Sequence, residues 1–216
     1  MFRKNVDDWS ILVYSVTKMG GPMNKNTTSK QSICAVGEKL FALHGYSGVG
    51  IKLILDEVGI PKGSFYHYFA SKEAFAAAVA EHYFQQRIQP IAIDPSANFK
   101  ANLSTLLNGY HQLIDELFSG HQPRGCVIGI LMVEVSPQSP LLHQTLTHLY
   151  DKWLGLLSAL IQQGQQQGHI RADLSASILA SVFWSNWQGT MLRSQIKADK
   201  IATKRALVQC MQMMTR

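Results

Sequence analysis

With 216 residues, 46% of them apolar and 16% charged, the chain is long enough to bury a sizeable core without disulfides or metal. That excludes a disulfide-stapled miniprotein and an extended disordered chain. Its net charge of +6 suits a polyanionic partner, but residues 1–87 and 88–216 each carry ten Lys/Arg and seven Asp/Glu, half of the totals of 20 and 14, so bulk charge marks neither half.

Residues 1–22 end at the Gly20-Gly21-Pro22 break and read as a non-native or disordered extension, with Met23 as an alternative start. The apolar stretch from Trp9 to Val16 is too short to span a bilayer. From Ser29 the pattern turns helical, with Ile33, Val36, Leu40 and Phe41 at three- and four-residue steps until Gly45. A second, short amphipathic helix carries Ile51, Ile54, Leu55 and Val58 and stops at Gly59. Ile60-Pro61 restarts the chain into a third, from Lys62 to Phe69, with Phe65 and Phe69 one turn apart on its inner face. Ser71 caps a longer fourth helix running to Arg87, before Pro90.

Beyond the Asp94-Pro95-Ser96 break, helical periodicity resumes over 99–118, 126–135, 141–168, 174–193 and 200–214. No strand-like alternation of useful length appears. The expected fold is all-α: an N-terminal three-helix helix-turn-helix domain over 23–87, followed by a larger helical effector-binding and dimerisation domain over 88–216.

Two short helices joined by Gly59-Ile60-Pro61 describe a helix-turn-helix, whose second helix can enter the major groove of DNA. With Phe65 and Phe69 facing in, Lys62, Ser64, Tyr66, His67 and Tyr68 remain outside, and Gly63 allows close backbone approach. Lysine and hydroxyl groups bond phosphate oxygens, while tyrosine and histidine reach base edges or thymine methyls. One of the two tyrosines packing on the first helix, and Lys72 as a plain solvated lysine, are the simpler alternatives.

The string ILDEVGIPKGSFYHYFASKEAF, residues 54–75, closely resembles the DNA-binding segment of the TetR/AcrR family, and the likeness extends over about residues 28–87. The resemblance implies a transcriptional regulator, usually a repressor, that binds a palindromic operator as a homodimer and is released by a small ligand. It implies DNA contacts from Lys52, Lys62, Gly63, Ser64, Tyr66, His67, Tyr68 and Lys72, and a dimer interface on the two long helices near 141–167 and 174–195. On those helices Trp153, Leu157, Leu160, Phe183 and Trp187 are the candidate seam, with the protomer's own core as the alternative. Tyr110, Leu113, Met132, Trp184 and Met191 are candidate effector-lining residues, combining apolar bulk with adaptability.

The run HQPRGCVIGILMVEVS, residues 121–136, places Cys126 at a helix start, where free amides and Arg124 would favour a thiolate. It resembles the corresponding region of NemR-like repressors, which respond to electrophiles and oxidants, and so suggests a thiol sensor and an apolar or electrophilic effector. The competing reading is an inert buried residue. Cys34, Cys126 and Cys210 are odd in number and form no CxxC pair or Cys/His cluster. A reducing cytoplasm, no metal and no cofactor are therefore expected. A helical enzyme or a lipid-surface protein is the alternative class, but no phosphate-binding glycine loop or nucleophile elbow is present, and no membrane partner is expected.

Overall fold

The computed structural model describes residues 29–215 except positions 92, 95, 121 and 122. The expected extension over 1–22 lies outside the described residues. Nine α-helices follow in order among those described: α1 (Lys30–His44), α2 (Ile51–Val58), α3 (Lys62–Tyr68), α4 (Lys72–Tyr83), α5 (Phe99–Leu117), α6 (Val127–Glu134), α7 (Pro140–Gln166), α8 (Ala176–Lys197) and α9 (Lys200–Met214).

The starts of these helices are written in capping side chains. Ser29 and Ser32 form a reciprocal capping box at α1, and Ser71, Asn98, Ser139, Ser175 and Asp199 each accept a first-turn amide. Pro140 opens α7 at a position where a missing N–H costs nothing. Gly59 stops α2 in the left-handed conformation at φ 74°, and its amide bonds Leu55 O at 2.8 Å.

Two aromatic clusters organise the core. Phe41, Phe65, Phe69 and Phe75 bind α1, α3 and α4 together, with ring centroids 5.0–5.7 Å apart in tilted and edge-on pairs. Gly37 lets α1 lie flush on α4, since a Cβ there would stand 2.6 Å from Val79. In the second cluster Tyr110 of α5 meets Phe183 at 5.4 Å, Trp187 at 4.6 Å and Trp153 at 6.0 Å.

Helix α4 carries Phe75 of the first cluster and packs against both α1 and α7. Past Tyr83 it widens into a π-helical turn, Phe84–Ile88, and then tightens into a 3₁₀ turn, Gln89–Ile91. Between α1, α4 and α5, the buried Glu38 carboxylate receives His82 Nδ1 at 2.6 Å and lies 3.6 Å from Arg87 Nε, while Arg87 also pairs with Glu116.

Candidate nucleic-acid interface and regulatory core

Helix α3 is held from beneath by Phe65, which is fully buried, and by Phe69, which follows in extended backbone after the helix has ended at Tyr68. Anchored this way, α3 turns Lys62, Gly63, Tyr66 and His67 outward, with Ser64 and Tyr68 half-buried at its flanks. A Cβ at Gly63 would meet nothing, so the backbone is open to close approach. Lys62 Nζ sits 5.8 Å from the Tyr66 ring centre, and His67 and Tyr68 are 5.4 Å apart edge-on. Lys52 is exposed in the first turn of α2.

Lys72 stands apart from this group. Its ammonium donates to Tyr46 O at 2.7 Å and lies 3.9 Å over the Tyr46 ring, so it braces the α1–α2 turn in this state. Burial lowers its pKa from the ordinary lysine value, against the opposing pull of Glu73 and Glu134. It is neither a plain solvated lysine nor, in this conformation, a free phosphate ligand.

The expected dimer seam requires correction. Trp153, Leu157, Leu160, Phe183 and Trp187 are each 2% exposed or less within the single chain, so they have no surface left to offer a second copy. They face the protomer's own core. The outward face of α8 instead carries Ile178, Val182, Ser185, Gly189, Leu192 and Ile196, at alternating steps of four and three residues. Its large apolar members are 46–80% exposed. Exposed Gly155 and Ala159 lie on α7, and nothing stands within 4 Å of a Cβ at Gly155 or Gly189.

Of the residues expected to line an effector pocket, Tyr110, Leu113 and Met191 are buried, and Met132 and Trp184 are half-buried. Only Trp184 among these five borders the small cavity beside Cys126, a space of about 10 Å³ walled also by Tyr83, Leu149, Tyr150, Trp153 and Trp187. That is room for about one water. The sequence reading leaves Tyr83 unassigned and gives Trp153 and Trp187 to the seam, because large aromatic residues at helical spacing look like any packed face.

Cys126 is the N-cap residue of α6, as expected, and is 5% exposed. Gln188 Nε2 of α8 lies 3.8 Å from its Sγ, and the thiol adds to burial in raising the Tyr83 hydroxyl's pKa well above the ordinary value. Arg124, expected to support a thiolate, is engaged elsewhere: its Nη2 donates to the Glu116 carbonyl and to Ser119 Oγ at 3.1 Å. Burial pushes Cys34 and Cys210 up to about 11, in keeping with two structural thiols.

Among the described residues no group of three or more His, Cys, Asp or Glu side chains is placed to hold a metal ion, and no helix is long and apolar enough to cross a membrane.

Comparison with known proteins extends the geometric reading. Residues 33–79 match the model of the bacterial regulatory proteins of the tetR family, and residues 101–210, more than half of the 216-residue chain, match a tetracyclin repressor-like C-terminal domain. The chain is 32% identical over 174 residues to the transcriptional repressor DhaR of Mycobacterium sp. strain GP1, covering 81% of this chain and 86% of that protein. It is 31% identical over 183 residues to the repressor NemR of Escherichia coli K12, covering 81% and 88%. The crystal structure of the reduced form of E. coli NemR superposes with a TM-score of 0.70 at 27% identity, over 87% of this chain and 96% of that one. A helix-turn-helix with an outward polar α3, joined to a helical domain that matches over its own length, makes this chain a member of the TetR family of dimeric, ligand-responsive DNA-binding transcriptional regulators rather than an enzyme.

Proposed function

We propose that the chain is a repressor that binds a palindromic operator and is released by a small apolar or thiol-reactive effector acting beside Cys126. The observation that carries this reading is the outer face of α3, where Lys62, Tyr66 and His67 stand exposed on a helix whose inner side is fixed by Phe65. DhaR and NemR, which resemble this chain over most of their lengths, are both named as repressors. Lys52, Lys62 and the Ser64 hydroxyl take phosphates, Tyr66, His67 and Tyr68 read base edges, and Gly63 permits close approach. Lys72 joins them if the α1–α2 turn releases it.

Two half-sites require two copies. The α8 stripe from Ile178 to Ile196, with the small residues of α7 beside it, forms the seam of a four-helix bundle with its mate. Its spacing of four and three residues is that of a helix paired along its length, and Ser185 and Gly189 let the two backbones approach.

In the regulatory core, the Cys126 sulfur adds across the double bond of an activated alkene, and its proton ends on the neighbouring carbon. The adduct has no space in a cavity of about 10 Å³, so α6 and α8 must separate.

A gel-shift assay on DNA flanking the protein's own gene tests the reading. Wild type should shift a specific fragment and Tyr66→Ala should not. N-ethylmaleimide should release wild type but not Cys126→Ser. Specific binding that persists in Tyr66→Ala refutes the α3 assignment, and release that ignores Cys126 refutes the thiol.

A further inference from the structure

Helix α6 meets the regulatory core at its start and touches the DNA-binding domain at both ends. At its start the Gly125 amide donates to Ala42 O of α1 at 3.2 Å, and Cys126 meets Gln188 of α8. In its middle, Gly129 leaves room for the Gln188 carboxamide, which any Cβ there would strike. At its end, Glu134 Oε2 accepts the Ser47 amide at 2.9 Å, joining residues 87 apart in sequence across the α1–α2 turn.

That turn is shaped around the carboxylate. Gly45 sits at φ 69°, and a side chain there would be driven into the Glu134 carboxylate. Between Gly45 and Ser47, Tyr46 offers its carbonyl and its ring to Lys72 at the start of α4. A single side chain of the regulatory domain thus holds the turn that leads directly into α2.

We infer that Glu134 is a positioning residue through which α6 sets the orientation of the helix-turn-helix, so that a displacement of α6 at its Cys126 end reaches the DNA-reading helices through the α1–α2 turn. The inference rests on the regulator reading above. It differs from a purely structural role in one respect. If α6 biases the arrangement of the DNA-reading unit, then DNA, which selects one arrangement, must bias α6 by the same free energy.

The test uses the full-length protein and a duplex selected from randomised DNA by the wild type. Hydrogen exchange of the α6 amides is measured with and without that duplex, for wild type, Glu134→Ala and Glu134→Gln, after circular dichroism confirms that all three are folded. DNA should slow α6 exchange in the wild type by about fivefold or more, the lower end of ordinary coupling between sites. In Glu134→Ala the DNA-dependent change should disappear while the duplex still binds. Glu134→Gln, which keeps an oxygen for the Ser47 amide, should retain a measurable part of it. Equal DNA-dependent protection in wild type and Glu134→Ala overturns the inference alone, whereas failure of the wild type to select any duplex overturns it together with the regulator reading.

Discussion

Leu192→Ala separates the two faces of α8 most sharply. Leu192 is 71% exposed in the single chain, so the protomer gains little from its side chain, while a mate packed along the α8 stripe would cover it. At about 0.8 kcal/mol per buried CH₂, truncation to alanine, scaled by that exposure, removes about 1.5 kcal/mol per copy. Two-fold symmetry places two copies in the seam, for about 3 kcal/mol in all, or about a hundredfold in the dimer dissociation constant. Sedimentation equilibrium over a dilution series reads this directly, and the thermal midpoint of the isolated protomer should barely move. Phe183→Ala is the opposite control: fully buried against Tyr110, it should cost the fold about 3–5 kcal/mol. A Leu192→Ala dimer as tight as the wild type, to within about threefold, would refute the assignment of the outer face.

Three further outcomes follow from particular contacts. Cys34 and Cys210, held up to about 11 from an ordinary 9.0, carry about a hundredfold less thiolate at neutral pH than free cysteine, so peptide mapping after brief alkylation of the native protein should find Cys126 labelled first. Burial tends to raise the Asp115 carboxyl, but bonds from Lys204 and Lys200 outweigh it and leave its pKa below the ordinary 3.8. A depressed carboxyl stabilises the fold above that value and loses its contribution as pH falls through the folded pKa. Asp115→Asn should therefore be less stable than wild type at neutral pH, with the gap closing in acid denaturation below 3.8. Lys62→Ala, if Lys62 takes a phosphate in each half-site, should weaken operator binding and flatten the slope of log affinity against log salt by about two for the dimer.

The helix-turn-helix was legible because its signals are local. Gly59 and Pro61 mark the turn, Ser29 and Ser71 mark helix starts, and Phe65 and Phe69 declare which side of α3 is inward. The end of α4 was less so: Pro90 announces a stop, but nothing local to Phe84–Ile88 shows that the helix widens before it tightens. The seam was misread because apolar bulk at helical spacing says that a face is buried without saying by which chain. On α8 both faces are apolar, and two of its three large aromatic side chains, Phe183 and Trp187, belong to the inner one. The outer stripe is diluted by Ser185 and Gly189, and only its steps of four and three betray it. Glu134 was invisible for a simpler reason, since a carboxylate at a helix end reads as solvated until its partner, 87 residues away, is seen.

The closed state of the core constrains the kind of effector that can act on it. A pocket for a drug-sized molecule is typically about 300–1,000 Å³, whereas the cavity beside Cys126 measures about 10 Å³. A reversible ligand bound beside Cys126 must therefore wait for molecules in which α6 and α8 have parted, and its apparent affinity falls by the fraction of molecules so opened. An electrophile escapes that limit, because each opening can be captured by a covalent bond and need not be held by continued occupancy. The same opening is what Glu134 would relay to the α1–α2 turn, so tightening the core should strengthen repression and slow induction together. Gln188→Leu, which replaces the carboxamide lying over Gly129 and the Cys126 sulfur with an apolar group, tests this: slower Cys126 alkylation should be matched by slower release of DNA. Slower alkylation with unchanged release would show that the thiol and the DNA-reading unit open independently.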